Sequence, residues 1–179
     1  MVNEIAILLL MKLPSLKSYR SFPSNIQRKE KVYLVLGSLF GMGFIGIVPA
    51  TVGSAGMGVI LLSLSPWMTR PILFLVSLGL LFAGKVLATA FERIMNERDP
   101  RPFVLDECLG MVLSLLFVQL TLVNAIIAFL LFRFFDVVKP YPCRHMEKVP
   151  HGWGVMLDDV VAGLYAGLVL ATMRAFWDA

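Results

Sequence analysis

Two long runs without a charged residue constrain this chain more than any other feature of its sequence. Between Lys31 and Arg70 lie 38 uncharged residues, and between Glu107 and Arg133 lie 25 more. Only 16% of the 179 residues are charged, whereas soluble domains average about 25%. A helix that crosses a bilayer needs roughly 20 mostly apolar residues. The runs therefore predict membrane helices, exclude a disordered chain and argue against a water-soluble domain.

The apolar segments are expected to be helices, because no alternation of apolar and polar residues persists along them. They are a short span at 53–66, a span at 71–91, a hairpin at 108–136 that turns at 121–124, and a last span at 155–176. Five glycines and a proline between positions 41 and 56 predict a chain break near 46–53, preceded by a short re-entrant or interfacial helix at 33–46. The predicted fold class is an all-α, polytopic helical membrane protein with about four spanning helices.

The basic residues predict the orientation of these helices. Residues 1–31 contain six Lys/Arg and two Glu, whereas the rest of the chain has ten basic and ten acidic residues. This excess is too small and too local for a nucleic-acid-binding surface. We expect 1–31 to be a basic cytoplasmic or interfacial arm and 32–179 to be a single helical membrane domain. The positive-inside rule then places the charged loops at 92–103 and 133–139 on the cytoplasmic side. Nothing in the sequence indicates an oligomeric state.

Five carboxylates stand at the edges of the apolar segments: Asp106, Glu107, Asp136, Asp158 and Asp159. Burying a carboxylate is costly unless a cation or hydrogen-bond donors meet it. With Arg133 and Lys139 as the nearby basic residues, convergence of the five acids would leave a charge of −3. Carboxylate oxygens suit Mg²⁺, so we expect one or two divalent cations bound by these five acids. The alternative is that each acid caps a helix or forms an interfacial ion pair.

Small residues follow two of the acids at helical spacing, in the sets Asp106, Gly110 and Ser114, and Asp159, Gly163, Ala166 and Gly167. Such stripes let helices approach closely. The acids therefore lie at the start of the helix faces that are best suited to pack against each other. Gly163 and Gly167 have the spacing of a dimer motif, but packing within the subunit is the simpler use.

Three other motifs carry little weight. Gly41, Gly43 and Gly46 match a dinucleotide-binding pattern by chance, because no acid follows until Glu92. Cys143 is followed directly by Arg144 without a phosphate-cradling loop, which argues against a thiol phosphatase. His151 is either a proton donor or a solvated loop residue.

Four blocks of sequence, in order, resemble the bacterial phosphatidylglycerophosphatase A family and extend over about residues 33–175. They are Gly43-Phe-Ile-Gly46-Ile-Val-Pro49-Ala-Thr51-Val-Gly53-Ser54, Phe103-Val-Leu-Asp106-Glu107-Cys-Leu-Gly110, Phe132-Arg133-Phe-Phe-Asp136-Val-Val-Lys139-Pro140-Tyr-Pro142 and His151-Gly-Trp-Gly154-Val-Met-Leu-Asp158-Asp159-Val-Val-Ala162-Gly163. The blocks around Arg133 and Asp158 are the most specific. The family usually has glycine where this chain has Ala50 and Trp153, which affects loop geometry more than the reaction.

The resemblance implies a catalytic domain of a bacterial inner-membrane, Mg²⁺-dependent lipid phosphatase that converts phosphatidylglycerophosphate to phosphatidylglycerol. The five acids would then be the catalytic groups and the Mg²⁺ ligands. Substrate phosphate would be held by a second set, namely Arg133, Lys139, Arg144, Thr51 and Ser54. Attack by water and a covalent aspartyl-phosphate both remain open.

A second hypothesis makes the same acids the relay of a small cation or proton transporter. Transport sites usually lie near the bilayer midplane, often between repeated halves. The acids of this chain lie at the edges of the apolar segments and no internal repeat is evident, so the phosphatase is favoured.

Overall fold

The computed structural model describes residues 26–44 and 48–177. Within those residues every regular element is helical and no strand is present. Seven α-helices follow one another along these residues: α1 (Arg28–Gly37), α2 (Pro49–Ser63), α3 (Arg70–Met95), α4 (Leu105–Ser114), α5 (Leu122–Val138), α6 (Cys143–Met146) and α7 (Trp153–Trp177). The expected all-α class is confirmed. Most of the predicted N-terminal arm, residues 1–25, lies outside the described residues.

Two of these helices are long and apolar enough to cross a membrane, namely α3 with 26 residues and α7 with 25. At 1.5 Å per residue each reaches about 38 Å, which exceeds the hydrocarbon thickness of roughly 30 Å. Helix α2 has only 15 residues and reaches about 22 Å. The described helices therefore provide two candidate spans and indicate a membrane association, whereas the four expected spans are not established.

The break in the first apolar run lies earlier than its glycines predict. Helix α1 ends at Gly37, and the chain then turns through Leu39, Phe40 and Gly41, which all have positive φ. Helix α2 begins at Pro49, where a proline in the first turn loses no helical hydrogen bond. The proline therefore starts a helix instead of interrupting one. The predicted helix at 33–46 is wrong in its bounds, and positions 45–47 lie outside the described residues.

The glycines of this segment allow close contact with the loop that precedes α4. A Cβ atom on Gly43 would lie 1.9 Å from the Pro102 carbonyl oxygen, and one on Gly53 would lie 2.8 Å from the Val104 Cβ. The Val104 amide also donates a hydrogen bond to the Gly37 carbonyl at 3.0 Å. These contacts fix the chain immediately before the first two acids, which lie in the first turn of α4.

Helix α4 lies at the centre of the helix bundle, since nine of its ten residues are buried. It packs against α2, α3, α5 and α7. The predicted turn at 121–124 is placed too late, because α4 ends at Ser114 and α5 begins at Leu122, so the chain turns at 115–121. Thr121 is the N-cap of α5, and its hydroxyl accepts a hydrogen bond from the Asn124 amide at 3.3 Å. The two arms of the hairpin are unequal, as α4 is a short core helix and α5 has 17 residues.

Helices α4 and α7 meet main chain against main chain, as the two stripes of small residues predict. A Cβ atom on Gly163 would lie 2.5 Å from the Gly110 carbonyl oxygen, and one on Gly167 would lie 2.9 Å from the Leu113 carbonyl oxygen. The Ser114 hydroxyl donates to the carbonyls of Gly110 at 2.7 Å and Gly163 at 3.4 Å. These glycines therefore serve packing within the subunit.

The bundle has two ends of different composition. At one end, which we call the acidic end, α4 and α7 begin and α5 finishes, and all five predicted acids lie there. At the opposite end α3 and α5 begin and α4 and α7 finish. The positions that the sequence places at the edges of three apolar segments thus share one end of the structure.

Candidate active site

Three helices bring the five acids together at the acidic end. The first turn of α4 carries Asp106 and Glu107, and the last turn of α5 carries Asp136. The second turn of α7 carries Asp158 and Asp159. The main-chain contact between α4 and α7 lies directly below the acids, so it sets the distance between their carboxylates.

The acids form two overlapping groups that share one residue. Carboxylate oxygens of Asp106, Glu107 and Asp159 lie within 4.8 Å of one another, and so do those of Asp136, Asp158 and Asp159. Asp106, Asp158 and Asp159 are buried, whereas Glu107 and Asp136 are half-buried. Asp159 is therefore the geometric centre of the site. The structure brings together all five predicted ligands, while their roles stay predictions.

Each group contains a buried oxygen without a hydrogen-bond partner, namely Oε2 of Glu107 and Oδ1 of Asp158. Unpartnered buried carboxylate oxygens are costly, since burial removes the water that would otherwise solvate them. Two or three carboxylates also repel one another at these distances. A divalent cation between them would remove both penalties, and an all-oxygen donor set suits Mg²⁺. The donor set therefore fits the expected metal ion.

Arg133 and Lys139 both lie at the site, each beside a different acid. Arg133 Nη1 is 2.9 Å from Asp136 Oδ2, three residues further along α5. That nitrogen is buried and makes no hydrogen bond, so the contact is an ion pair without hydrogen-bond geometry. The guanidinium therefore retains donors for another anion.

Lys139 ends α5 in the left-handed conformation, with φ of 47°. Its Nζ lies 2.7 Å from Asp158 Oδ2 and also pairs with the Glu147 carboxylate. Burial alone would lower the pKa of Lys139, but the Asp158 and Glu147 carboxylates outweigh that effect and raise it. Lys139 is therefore a permanent cation beside Asp158.

A cavity of about 350 Å³ opens next to these acids. Arg144, the third basic residue predicted to bind substrate phosphate, lines it. The cavity is also lined by Asp158, together with charged residues that sequence reasoning did not select: Arg98, Asp99, Glu147 and Lys148. Glu147 pairs with Lys139, and its carbonyl accepts a hydrogen bond from Arg98. Both acids lie in loops between the apolar segments and not at the edges of those segments, so span edges gave no signal for them.

Thr51 and Ser54 are not joined to the acids by any hydrogen bond in the part of the chain that the structure describes. Ser54 is buried in α2, and its hydroxyl donates to the Ala50 carbonyl at 2.6 Å. Their predicted contact with substrate phosphate remains a prediction. Ala50 itself lies in the first turn of α2, where alanine is compatible with helix.

The Cys143 thiol is completely buried, and burial raises its pKa. A nucleophilic cysteine needs an accessible, low-pKa thiolate, so this geometry disfavours a thiol phosphatase.

His151 and Gly152 form a tight turn against α3. Gly152 has φ of 75°, and a Cβ atom there would lie 2.7 Å from the Lys85 carbonyl oxygen. The His151 carbonyl accepts a hydrogen bond from Thr89 Oγ1 at 2.7 Å. Trp153 follows and packs edge-on against Phe82, with ring centroids 6.3 Å apart. The tryptophan that departs from the family pattern thus serves to dock this turn on α3.

Comparison with known proteins finds a matching family model and several relatives. The family model for phosphatidylglycerophosphatase A matches residues 35–174. A phosphatidylglycerophosphatase A of Haemophilus influenzae is 39% identical over 144 residues, which cover 77% of this chain and 85% of that protein. Its counterpart in Escherichia coli is 32% identical over 142 residues, covering 77% and 81%.

A Bacteroides thetaiotaomicron protein, provisionally named a phosphatidylinositol-3-phosphatase, is 34% identical over 160 residues, which cover 83% of this chain and 98% of that protein. No solved structure matches the chain. The family match includes all five acids together with Arg133 and Lys139. From this match and these relatives, the chain belongs to the phosphatidylglycerophosphatase A family and is a phosphatase.

Proposed function

We propose that this chain hydrolyses the terminal phosphate of phosphatidylglycerophosphate, with Mg²⁺ as cofactor, and releases phosphatidylglycerol and inorganic phosphate. The observation that carries the proposal is the pair of carboxylate groups that share Asp159, each with an unpartnered buried oxygen. The substrate named by the family and by two relatives is a phosphate monoester attached to a lipid. The transporter hypothesis receives no support from the family or from these relatives.

A phosphate monoester carries two negative charges and repels an attacking nucleophile. Bound Mg²⁺ supplies charge neutralisation and lowers the pKa of water. Asp106, Glu107 and Asp159 would hold one ion, and Asp136, Asp158 and Asp159 would hold another or share the first.

The basic residues of the chain orient the substrate. The buried Arg133 Nη1, which has no hydrogen-bond partner, donates to a phosphate oxygen. Lys139 holds Asp158 in place and places a second positive charge beside the phosphate. Arg144 lines the adjacent cavity and meets the remainder of the headgroup.

We place this site at the cytoplasmic face of the bacterial inner membrane. The support is the excess of Lys/Arg in residues 1–31 and the charged loops that accompany the acids at the same end of the bundle. Lipid substrate would then reach the carboxylates at the membrane surface, with its acyl chains along the apolar helices.

The proposal is tested with detergent-purified full-length protein by measuring phosphate release from phosphatidylglycerophosphate, with Mg²⁺ or with EDTA. We expect release only with Mg²⁺, and a loss of at least ~100-fold in the Asp159→Asn variant, since it removes a ligand from both groups. Glu92→Gln is the matched control, because it removes a negative charge from α3 outside the two groups. Phosphatidylinositol 3-phosphate is the competing substrate, chosen from the name of the Bacteroides relative.

A second measurement does not depend on turnover. Mg²⁺ that binds only the folded state raises the unfolding temperature, and the shift grows with concentration. We expect this shift in the wild type and in Glu92→Gln but not in Asp159→Asn. Equal release with EDTA, or an unchanged Mg²⁺ shift in Asp159→Asn, would contradict the proposed metal site.

A further inference from the structure

A second polar cavity lies at the opposite end of the bundle. Its volume is about 370 Å³, and we call it the distal cavity. The side chains that line it include five that carry the following reasoning: Arg70, Gln119, Thr121, Asn124 and Arg174. They come from the start of α3, the turn between α4 and α5, the start of α5 and the end of α7.

The distal cavity is separate from the phosphatase site. Asp159 and Arg174 both lie on α7, fifteen residues apart. At 1.5 Å per residue this separation is about 22 Å. No residue lines both the distal cavity and the cavity beside Asp158.

The charge of the distal cavity is positive and uncompensated within the described residues. Among the described residues, Arg70 and Arg174 are the charged residues that line it, and no carboxylate from 26–44 or 48–177 does so. Neither arginine forms an ion pair in the part of the chain that the structure describes. The positive-inside rule disfavours arginines at the end opposite a basic cytoplasmic arm. An anion at this end would compensate for that cost.

Arg174 is held in one orientation by a buried amide. Its Nε donates to Asn124 Oδ1 at 2.6 Å, and Asn124 Nδ2 donates to the Gln119 carbonyl at 2.9 Å. Asn124 is only 4% exposed. The terminal guanidinium nitrogens of Arg174 make no hydrogen bond within the described residues, and they are the atoms that pair with two oxygens of a phosphate. The amide therefore preorganises an anion-binding group.

Two helix N-termini also face this end. Arg70 is the first residue of α3, and Thr121 is the N-cap of α5. The partial positive charge of each N-terminus adds to the two guanidinium groups and favours an anion. Helices α4 and α7 finish at the same end with partial negative charges, so the net positive charge of the cavity comes from the two arginines.

Exposed aromatic side chains surround the same end. Trp67 is 66% exposed just before α3, and Phe176 and Trp177 are 82% and 80% exposed at the end of α7. Tryptophan is enriched where apolar lipid chains meet the polar headgroups. We propose that the distal cavity binds the phosphate of an anionic phospholipid headgroup in the leaflet opposite the active site.

The test uses detergent-purified full-length protein in EDTA, where the five carboxylates lack metal ions and disfavour an anion at the active site. The lipid probe is dihexanoyl phosphatidylglycerol, with dihexanoyl phosphatidylcholine as the zwitterionic comparison and inorganic phosphate as the free anion. Dissociation constants are measured by native mass spectrometry and by the ligand-induced shift in unfolding temperature.

Arg70→Gln is the principal variant, because Arg70 makes no hydrogen bond or ion pair within the described residues and its loss leaves the Arg174–Asn124 contact intact. We expect it to weaken binding of phosphatidylglycerol roughly tenfold or more, as loss of a charge-assisted contact does. Arg174→Lys retains the charge but loses the two-pronged geometry, so a smaller weakening is expected. Arg93→Gln, at the other end of α3, is the matched control and should bind as the wild type does.

The two anion probes identify the source of the phosphate. Binding of inorganic phosphate that depends on Arg70 would show that the phosphate group alone suffices, whereas binding of phosphatidylglycerol alone would show that the lipid is required. Both results support the distal site. Wild-type affinity for both probes in Arg70→Gln and in the Arg70→Gln, Arg174→Gln double variant would overturn it, as would equal loss in Arg93→Gln.

Discussion

At the scale of single residues, Asp159 differs from the other acids because it belongs to both carboxylate groups. Asp106 belongs only to the group that contains Glu107, and Asp136 belongs only to the group that contains Asp158. Each of those two acids can be lost while the other group remains complete. The three positions therefore separate the contributions of the two groups.

We predict that Asp106→Asn and Asp136→Asn each raise the Mg²⁺ concentration that gives half-maximal phosphate release, and that Asp159→Asn abolishes release at every Mg²⁺ concentration. Removal of one carboxylate weakens a metal site, because ligand charge contributes directly to affinity. Mg²⁺ titrations of the three variants check this ranking. An Asp159→Asn variant more active than the other two would contradict the shared position of this residue.

Lys139 gives a prediction about pH. Its pKa is raised, so the charge that it places beside Asp158 is complete below the ordinary lysine pKa and is lost only as the pH rises through the higher, folded-state value. An unperturbed lysine has a pKa of ~10.4. The range from about pH 6 to 9 lies below that value, so Lys139 does not titrate within it.

We therefore expect Lys139→Gln to lower kcat/KM by a similar factor throughout that pH range, roughly 10-fold or more, because a charge beside the phosphate is lost. Lys139→Arg should retain most activity with the wild-type pH profile. The measurement is phosphate release from pH 6 to pH 9. A loss in Lys139→Gln confined to one limb of the profile would contradict the permanent charge.

At the scale of helices, glycine has opposite consequences at two positions. Gly163 of α7 faces the Gly110 carbonyl oxygen, which a Cβ atom would approach to 2.5 Å, whereas Gly79 of α3 has no neighbouring heavy atom within 4 Å of such a Cβ. Both glycines are in helix interiors, where alanine is intrinsically favoured by up to about 1 kcal/mol.

We predict that Gly163→Ala destabilises the protein by ~1–3 kcal/mol, since the two main chains must separate, and that it also lowers phosphate release by moving the carboxylates of α4 and α7 apart. Gly79→Ala should be neutral or stabilising and retain full activity. Unfolding in detergent and phosphate release from the same preparations check both. Equal stability of the two variants would contradict the close helix contact.

Helix positions and acid positions differ in how far the sequence predicts them. The bounds of α3 and α7 follow closely from apolar runs that end in charges, whereas the turn before α5 lies at 115–121, earlier than predicted, because α4 ends at Ser114. The predicted position of the break before α2 is wrong, because some of the glycines permit close contact with Pro102 and Val104. The sequence alone does not distinguish such glycines from glycines that end a helix.

The convergence of the five acids was predictable from their positions at the apolar edges and from the small-residue stripes. Their division into two groups was not, since it depends on the rotation of α4 and α7 about their axes. Glu147 and Asp99 were missed because they approach the site only through loop conformation, and Asp99 adopts a positive φ of 51°.

At the scale of the whole molecule, the acidic end and the distal cavity lie at opposite ends of the bundle. The two cysteines are useful here, since Cys108 and Cys143 are both completely buried and should not react with a maleimide in the folded protein. Single exposed cysteines introduced at either end can therefore be labelled against a clean background. Trp67 and Arg101 are exposed positions at the distal and acidic ends.

We predict that Trp67→Cys is labelled by a membrane-impermeant maleimide in intact spheroplasts, whereas Arg101→Cys is labelled only after the membrane is permeabilised. This result follows if the acidic end faces the cytoplasm, as the basic residues indicate. Wild-type protein should remain unlabelled in both conditions. Labelling of Arg101→Cys in intact spheroplasts would place the active site on the other side.

The contact between Gly110 and Gly163 has a consequence for how the enzyme tolerates different bilayers. A helix adapts to a bilayer of unsuitable thickness by tilting, and tilting separates partners that meet only through flexible side chains. Because α4 and α7 meet through their backbones, we expect them to tilt as one rigid pair, so that the acids near their N-termini keep their spacing. We then expect α3 to make most of the adjustment to a bilayer of different thickness. It is the less buried of the two candidate spans and carries none of the five acids.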